Sequence, residues 1–384
     1  VTALLPEERR DGADRALAGA GPLGWTVAAG ASVGAATLAD LYRSPEVAAV
    51  ERRLVFLPAW SLVASTAELA PGHYVTAEPG GAPVVVVRDD RGVLRAFHNL
   101  CRHRGMPVAQ GAGRTGRHLT CPYHQWSFAL DGALVRVPQQ ESQFADLDTA
   151  EWGLQPVAVV EWQGMVFVNP ETEPGAADEV FARELGPLRP YLESWSAPDG
   201  GPLDEVALVR YEVACNWKFL VENHLDVYHL WYLHQRSLSA WDHRRFRWSW
   251  QGDTWWSHEP LKATSPRPAA LLGGLAEDAR TGLGAHLLFP NLMIVTAGDY
   301  LATYDAVPLA PDRTVLTLRV RSIPSADGDA LVAGIRSFLT EDTTGCERLQ
   351  SVTGSPRFGL GPLASDHETP LRCFHDALRA RMVR

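Results

Sequence analysis

Two short segments each offer one thiolate and one imidazole. They are Cys101-Arg102-His103 and, after a gap of seventeen residues, Cys121-Pro122-Tyr123-His124. That set suits a two-iron, two-sulfur cluster in which both cysteines hold one iron and both histidines the other. Imidazole is neutral where thiolate is negative, so the histidine-held iron is the easier to reduce. Such centres sit between roughly −150 and +300 mV, where a reductase can charge them. Structural zinc is the competing occupant, but zinc sites usually pair Cys with Cys and His with His in each half. Here the order alternates, and Gly105, Pro107 and Pro122 mark both segments as loops.

A second set follows in the run from Asn216 to His234. Non-haem iron that activates oxygen is typically held by two histidines and one carboxylate, with other positions open. His229 and His234 are the imidazole pair. They are five apart, about 140° out of line on a regular helix, so the helix is expected to widen, bend or end between them. Asp226 precedes His229 by three and shares its face, which suits a hydrogen bond to His229 better than a place among the ligands. The third ligand must come from elsewhere, and Glu341-Asp342-Thr343-Thr344-Gly345-Cys346-Glu347 is the best source, with Asp342 favoured over its neighbour. His and Asp on a helix also occur in solvated or core networks; the weight comes from finding both sets in one chain.

With their neighbours, Cys101-Arg102-His103-Arg104-Gly105 and Cys121-Pro122-Tyr123-His124-Gln125-Trp126 resemble the signature of the Rieske non-haem iron oxygenases, of the aromatic-ring-hydroxylating dioxygenase α-subunit type. The family commonly has Gly where this chain has Gln125. Glu222, Asn223, Asp226, His229, His234, Asp342 and Glu347 resemble the rest of its pattern, in the family's order, and the likeness runs from Ser44 to Gln350. The resemblance implies an α+β chain: a small all-β Rieske [2Fe–2S] domain inserted in a helix-grip catalytic domain of antiparallel sheet plus helices. It implies a cluster on Cys101, His103, Cys121 and His124, and a mononuclear Fe(II) on His229, His234 and Asp342 with O2 as cosubstrate. It also implies a homotrimer, in which His124 or His103 of one subunit approaches Asp226 across an interface. Asp226 would then fix the tautomer of His229 and shorten the electron path.

The elements that must position these residues can be read in outline. Ser44 is a good helix cap, with Pro45 at the first helical position and Val47, Val50 and Leu54 at helical spacing. Short strands with Gly and Pro punctuation follow, among them Val84–Val87 and Leu94–Phe97 across the turn at Asp90-Arg91-Gly92. After Pro170 come an acidic helical stretch over 176–195, an alternating run over 203–214 and a helical run from Trp217 to His234. Strand-like runs lie at 245–250, 287–296 and 314–321, and helices at 329–339 and from Thr369 onward. The expected divisions are an N-terminal segment, 1–56, packing on the catalytic domain, the Rieske domain, 57–170, and the catalytic domain, 171–384.

Composition narrows the partners. A net charge of −10 over 384 residues disfavours nucleic acid. Ala16 to Ala39 is uncharged, but its small residues and Pro22 make a weak membrane span, and the acidic residues before it disfavour a signal peptide. A cytoplasmic protein is expected. Cys215, Cys346 and Cys373 read as buried thiols in a reducing compartment. Two glycine triplets, Gly19/Gly21/Gly24 and Gly111/Gly113/Gly116, lack the strand–turn–helix setting of a nucleotide site. NAD(P)H is therefore expected to act only through a separate reductase or ferredoxin. His243, His258, His286 and His375 have no partner spacing and read as ordinary surface or core histidines.

The reading is an oxygenase that takes electrons from a reductase and hydroxylates or demethylates a small aromatic, alicyclic or natural-product substrate. Asn223, Val227, Leu230 and Asn291 are the expected pocket residues. The alternatives are an electron carrier without oxygenase activity and an oxygenase of quaternary ammonium substrates. Oxidisers of the last kind often have Glu at the bridging position, where this chain has Asp226.

Overall fold

The structure is a computed structural model and describes residues 38–382 except 187, 266–271, 273, 274 and 276. The uncharged stretch up to residue 37 and the first glycine triplet lie outside the described residues. The chain divides into two compact units, one of residues 52–183 and one joining the residues before 52 to residues 184–384.

Helices α1 (Asp40–Arg43) and α2 (Pro45–Glu51) belong to the second of these. Ser44 caps α2 as its sequence predicts, its Oγ accepting the N–H groups of Glu46 and Val47 at 3.1 Å.

The unit of residues 52–183 holds β1 (Ser61–Ser65), β2 (His73–Ala77), β3 (Val84–Arg88), β4 (Leu94–His98), β5 (Ala112–Arg114), β6 (His118–Thr120), β7 (Ser127–Ala129), β8 (Leu134–Arg136), the short α3 (Gln140–Gln143), β9 (Pro156–Trp162) and β10 (Met165–Asn169). One sheet runs β1-β10-β9-β4-β3-β2-β5 and a smaller one β6-β7-β8. The unbroken valine run of β3 is explained by burial on both faces. Val85 and Val87 pack with Cys101, Cys121, Trp126 and Phe128, and Val84 and Val86 with Ala64, Val166 and Val168. The second glycine triplet runs from just before β5, where the Gly111 carbonyl accepts the Thr76 N–H, through Gly113 on β5 to Gly116 in the loop to β6. Contacts carry this unit past Pro170, because Phe181 packs its ring on Trp60, Trp162 and Phe167.

Helix α4 (Ala177–Leu185) leads out of this unit to α5 (Leu188–Leu192). The other unit is built on β11 (Asp204–Val213), α6 (Trp217–Leu225), β12 (Arg247–Gln251), β13 (Thr254–Pro260), α7 (Glu277–Thr281), β14 (Gly282–Leu288), β15 (Leu292–Thr296), β16 (Leu301–Ala310), β17 (Arg313–Ser322), α8 (Gly328–Val352) and α9 (Thr369–Met382). Its seven strands form one antiparallel sheet in the order β11-β17-β16-β15-β14-β13-β12. Tyr191 of α5 meets His286 on one face at 5.1 Å, and His224 of α6 meets Trp255 on the other at 5.7 Å, so helices grip both faces. No helix among the described residues is long and apolar enough to cross a membrane.

Three elements differ from expectation. Helix α6 stops at Leu225, before either histidine, because Asp226 turns extended (φ −81°, ψ 115°) and its Oδ1 accepts the Tyr228 N–H at 2.6 Å. The run over 287–296 splits into β14 and β15 around Phe289-Pro290-Asn291. Helix α8 continues past Leu339 to Val352, with the Thr343 and Thr344 hydroxyls bonding back to the Leu339 and Thr340 carbonyls.

Helix α6 is locked from behind. Lys218 Nζ lies 2.5 Å from Glu51 Oε1, whose other oxygen accepts the Trp217 indole N–H at 3.0 Å. The Glu222 carboxylate accepts the Tyr42 hydroxyl at 2.8 Å and meets Nε2 of His375 at 2.9 Å. His375 is thus a core histidine with a buried carboxylate partner, as is His243 with Glu259.

Candidate metal centres

The two cysteine–histidine loops are built alike. The Gly105 N–H donates to the Cys101 carbonyl at 2.8 Å, and the Gln125 N–H to the Cys121 carbonyl at 3.0 Å. In return the Cys101 N–H reaches Met106 O and the Cys121 N–H reaches Trp126 O. The turn residue is left-handed in each, Gly105 at φ 74° and Gln125 at φ 61°. Gln125 therefore stands where the backbone favours glycine.

Both thiols are buried. Burial pushes the Cys101 thiol up, the His103 and Arg104 N–H groups draw it down, and the Cys121 thiol beside it pushes it up. His103 and His124 bring their Nδ1 atoms to 3.1 Å. His103 stacks on Trp126, and His124 on Tyr123. Two adjacent thiols and two imidazoles whose nitrogens converge supply the donor types of a Cys2His2 two-iron cluster.

The second centre assembles from three separate elements. The histidines come from a 3-10 turn (Tyr228–Trp231) and the segment after it, and the carboxylate from the middle of α8. One atom each of His229, His234 and Asp342 lies within 4.8 Å of the others. His234 Nε2 is 2.8 Å from Asp342 Oδ1, and the two histidine Nε2 atoms are 3.2 Å apart. Three donors in so tight a triangle, from two imidazoles and a carboxylate, match the two-His, one-carboxylate iron set. The carboxylates also draw positive charge to this point. Burial lowers the His229 pKa, but Asp226 and Asp342 outweigh it and raise it to about 9.

Asp226 Oδ2 lies 3.4 Å from His229 Nδ1, on the side away from the triangle. Glu341, weighed in the sequence as a rival for Asp342, instead meets His234 Nδ1 at 2.7 Å. Among the expected pocket residues, Asn223 donates its amide to Asp342 Oδ1 at 2.9 Å and stands 3.4 Å from His229 Nε2. Asn291 donates to Asp305 Oδ1 and the Ala306 carbonyl. Val227 is buried and Leu230 half-buried. Glu347 accepts the Ala214 N–H and Gln350 the Asn216 N–H, so α8 also fixes the entry to α6.

Aromatic residues on the sheet face toward α6 carry no sequence motif and were missed. Trp255 and Tyr304 are buried there, and neither the indole N–H nor the hydroxyl has a hydrogen-bond partner among the described residues. Alternation along β13 and β16 is the only signal that could have found them.

Comparison with known proteins agrees with both centres. Residues 59–159 match the model of the Rieske [2Fe–2S] domain, and residues 202–384 match that of the ring hydroxylating alpha subunit (catalytic domain). The glycine betaine monooxygenase oxygenase subunit of Chromohalobacter salexigens is 38% identical over 189 residues, 49% of this chain and 40% of that protein. The anthranilate 1,2-dioxygenase large subunit of Acinetobacter baylyi is 31% identical over 211 residues, 54% of this chain and 44% of that protein. These matches span less than half the length of either relative. A crystal structure of a quaternary ammonium Rieske monooxygenase superposes with a TM-score of 0.75 at 22% identity, covering 92% of this chain and 97% of that one, a likeness of fold.

Proposed function

Because the chain belongs to the Rieske non-haem iron oxygenases, we propose that it is a monooxygenase of a quaternary ammonium substrate. The overall change is R–H + O2 + 2e− + 2H+ → R–OH + H2O at a C–H bond near the charged nitrogen, with the electrons delivered by a separate reductase or ferredoxin. The observation that carries the oxygenase reading is the His229–His234–Asp342 triangle in the same chain as a Cys2His2 loop pair. An electron carrier would need only the loop pair.

Cys101, His103, Cys121 and His124 would hold the [2Fe–2S] cluster, and His229, His234 and Asp342 the Fe(II). When bound, the cluster supplies single electrons and the ferrous ion supplies oxygen activation. The chain's own part is positional. Asn223 orients Asp342 through its amide. His224 stays neutral, its pKa lowered to about 4 chiefly by burial, with Nε2–H on the His286 carbonyl. Exposed Tyr228 and Tyr232 pack at 5.4 Å beside Asp226 and offer apolar surface that a homotrimer would cover.

The quaternary ammonium reading is supported by the glycine betaine relative and by the aromatic face of the sheet. Trp255 and Tyr304 are buried aromatics of the kind that attract a cation, and their unpaired N–H and O–H donors would suit a carboxylate on the same molecule. Asp226 and the anthranilate relative favour a second reading, a small aromatic substrate. The purified chain, with both metals and a reductase, is offered glycine betaine and anthranilate in turn. Oxygen uptake matched by oxidised product with glycine betaine alone is the expected result. Product from anthranilate alone moves the assignment to the second reading.

A further inference from the structure

The two histidines of the iron triangle are each backed by a carboxylate, and the two are held differently. Asp226 Oδ1 accepts the Tyr228 N–H at 2.6 Å, and Oδ2 lies 3.4 Å from His229 Nδ1. Glu341 Oε2 lies 2.7 Å from His234 Nδ1 and accepts the Ser237 hydroxyl at 2.6 Å. Ser237 Oγ is itself 3.2 Å from the same Nδ1. His234 is 1% exposed and His229 17%.

Glu341 and Asp342 are consecutive on α8, so one turn of one helix addresses both nitrogens of His234. Asp342 Oδ1 is 2.8 Å from Nε2 and Glu341 Oε2 is 2.7 Å from Nδ1. An ionised carboxylate only accepts hydrogen bonds, so Glu341 holds a proton on Nδ1, and Nε2 is the nitrogen whose lone pair would go to a metal bound in the triangle. The carboxylate also makes the imidazole a stronger donor to a metal. His229 has the longer contact, with a partner already engaged by backbone.

We propose that Glu341, steadied by Ser237, is the positioning residue that sets how firmly the mononuclear iron is held, and that Asp226 is not needed for that task. This rests on His229, His234 and Asp342 being the iron ligands. The division follows from the contacts: the short, doubly supported carboxylate anchors a ligand, while the long one leaves its histidine free to adjust.

The test uses the full chain with its cluster intact, shown by an unchanged visible spectrum. Release of mononuclear iron to a ferrous chelator is timed for wild type, Glu341→Gln, Glu341→Ala, Ser237→Ala and Asp226→Asn. The ferrous–nitrosyl EPR signal of each gives the ligand field. Removing such an outer partner typically weakens metal binding about 10- to 100-fold. Glu341→Ala is expected to release iron faster by that factor with a changed EPR shape, Glu341→Gln and Ser237→Ala by less, and Asp226→Asn at close to the wild-type rate. If Glu341→Ala does not fold, Glu341→Gln, which keeps the shape and the Ser237 contact, carries the comparison. Wild-type release and an unchanged EPR shape in the Glu341 variants overturn the proposal while leaving the iron site standing. A wild-type chain that takes up no mononuclear iron overturns both.

Discussion

Asp226 Oδ2 faces Nδ1 of His229 at 3.4 Å, on the far side of the imidazole from Asp342. His229, a proposed iron ligand, thus has at its outer nitrogen a carboxylate that is itself partly exposed. Asp226→Asn keeps the size and the contact with the Tyr228 N–H but removes the charge. Both metals are expected to remain while reductase-driven turnover falls, by a factor of about 10 to 100 if an ordinary outer-partner effect applies. Iron counts with steady-state oxygen uptake check it, and wild-type turnover in this variant refutes the coupling role.

The candidate metal-binding residues stood out in the sequence because such sites demand particular residue types, with the Cys and His pairs at short spacing and Asp342 supplied from a distant helix. What surrounds them was less so. The expected helix from Trp217 to His234 failed at Asp226, where an aspartate side chain took the backbone N–H that a helical carbonyl would have bonded. Glu341 read as a competitor of Asp342 because adjacency in sequence does not show that consecutive helical residues can reach opposite edges of one ring. The lock behind α6 was invisible for a different reason. Glu222 reaches Tyr42 and His375 across 180 and 153 positions, and no local pattern encodes such distances.

Gln125 carries a strain that the matching loop avoids by using Gly105. A left-handed backbone costs an ordinary residue about 1 kcal/mol or more, and a glycine's extra freedom when unfolded returns roughly 0.5–1 kcal/mol of that. Gln125→Gly should keep the cluster and match or slightly exceed wild-type stability. Gln125→Val, β-branched at positive φ, should lose about 1–3 kcal/mol. Thermal loss of the cluster's visible absorption reads both, and a valine variant as stable as wild type would show that this loop is not left-handed.

The pair Glu51–Lys218 is almost fully enclosed, at 3% and 1% side-chain exposure. Removing one partner strands the other charge away from water. Glu51→Ala should therefore cost about 3–5 kcal/mol, whereas the double change Glu51→Leu with Lys218→Met should cost much less. Denaturant unfolding of the single and double variants measures the difference. Equal losses in both would mean that packing against Trp217, not charge, holds the N-terminal helices to α6.

The last expectation concerns pH. Asp305, on β16 beside Asn291, has its carboxyl raised to about 7 by burial, against weaker downward pulls from Arg319 and the Asn291 amide. Its ordinary value is 3.8, so between about pH 4 and 7 the folded chain holds a proton that the unfolded chain has lost. Stability contributed by this group is complete below that window and declines as pH rises through it, levelling off above 7. The side chain keeps some contact with solvent, so the loss is about 2 kcal/mol rather than the larger figure the full shift would give. Asp305→Asn stays neutral throughout and can still present an oxygen to Asn291. Unfolding free energies measured from pH 5 to 8 should fall less steeply for this variant than for wild type, the gap between the two curves widening up to about pH 7 and staying constant above it. Parallel curves over that range would mean that Asp305 ionises at its ordinary pH and that Arg319 offsets its burial.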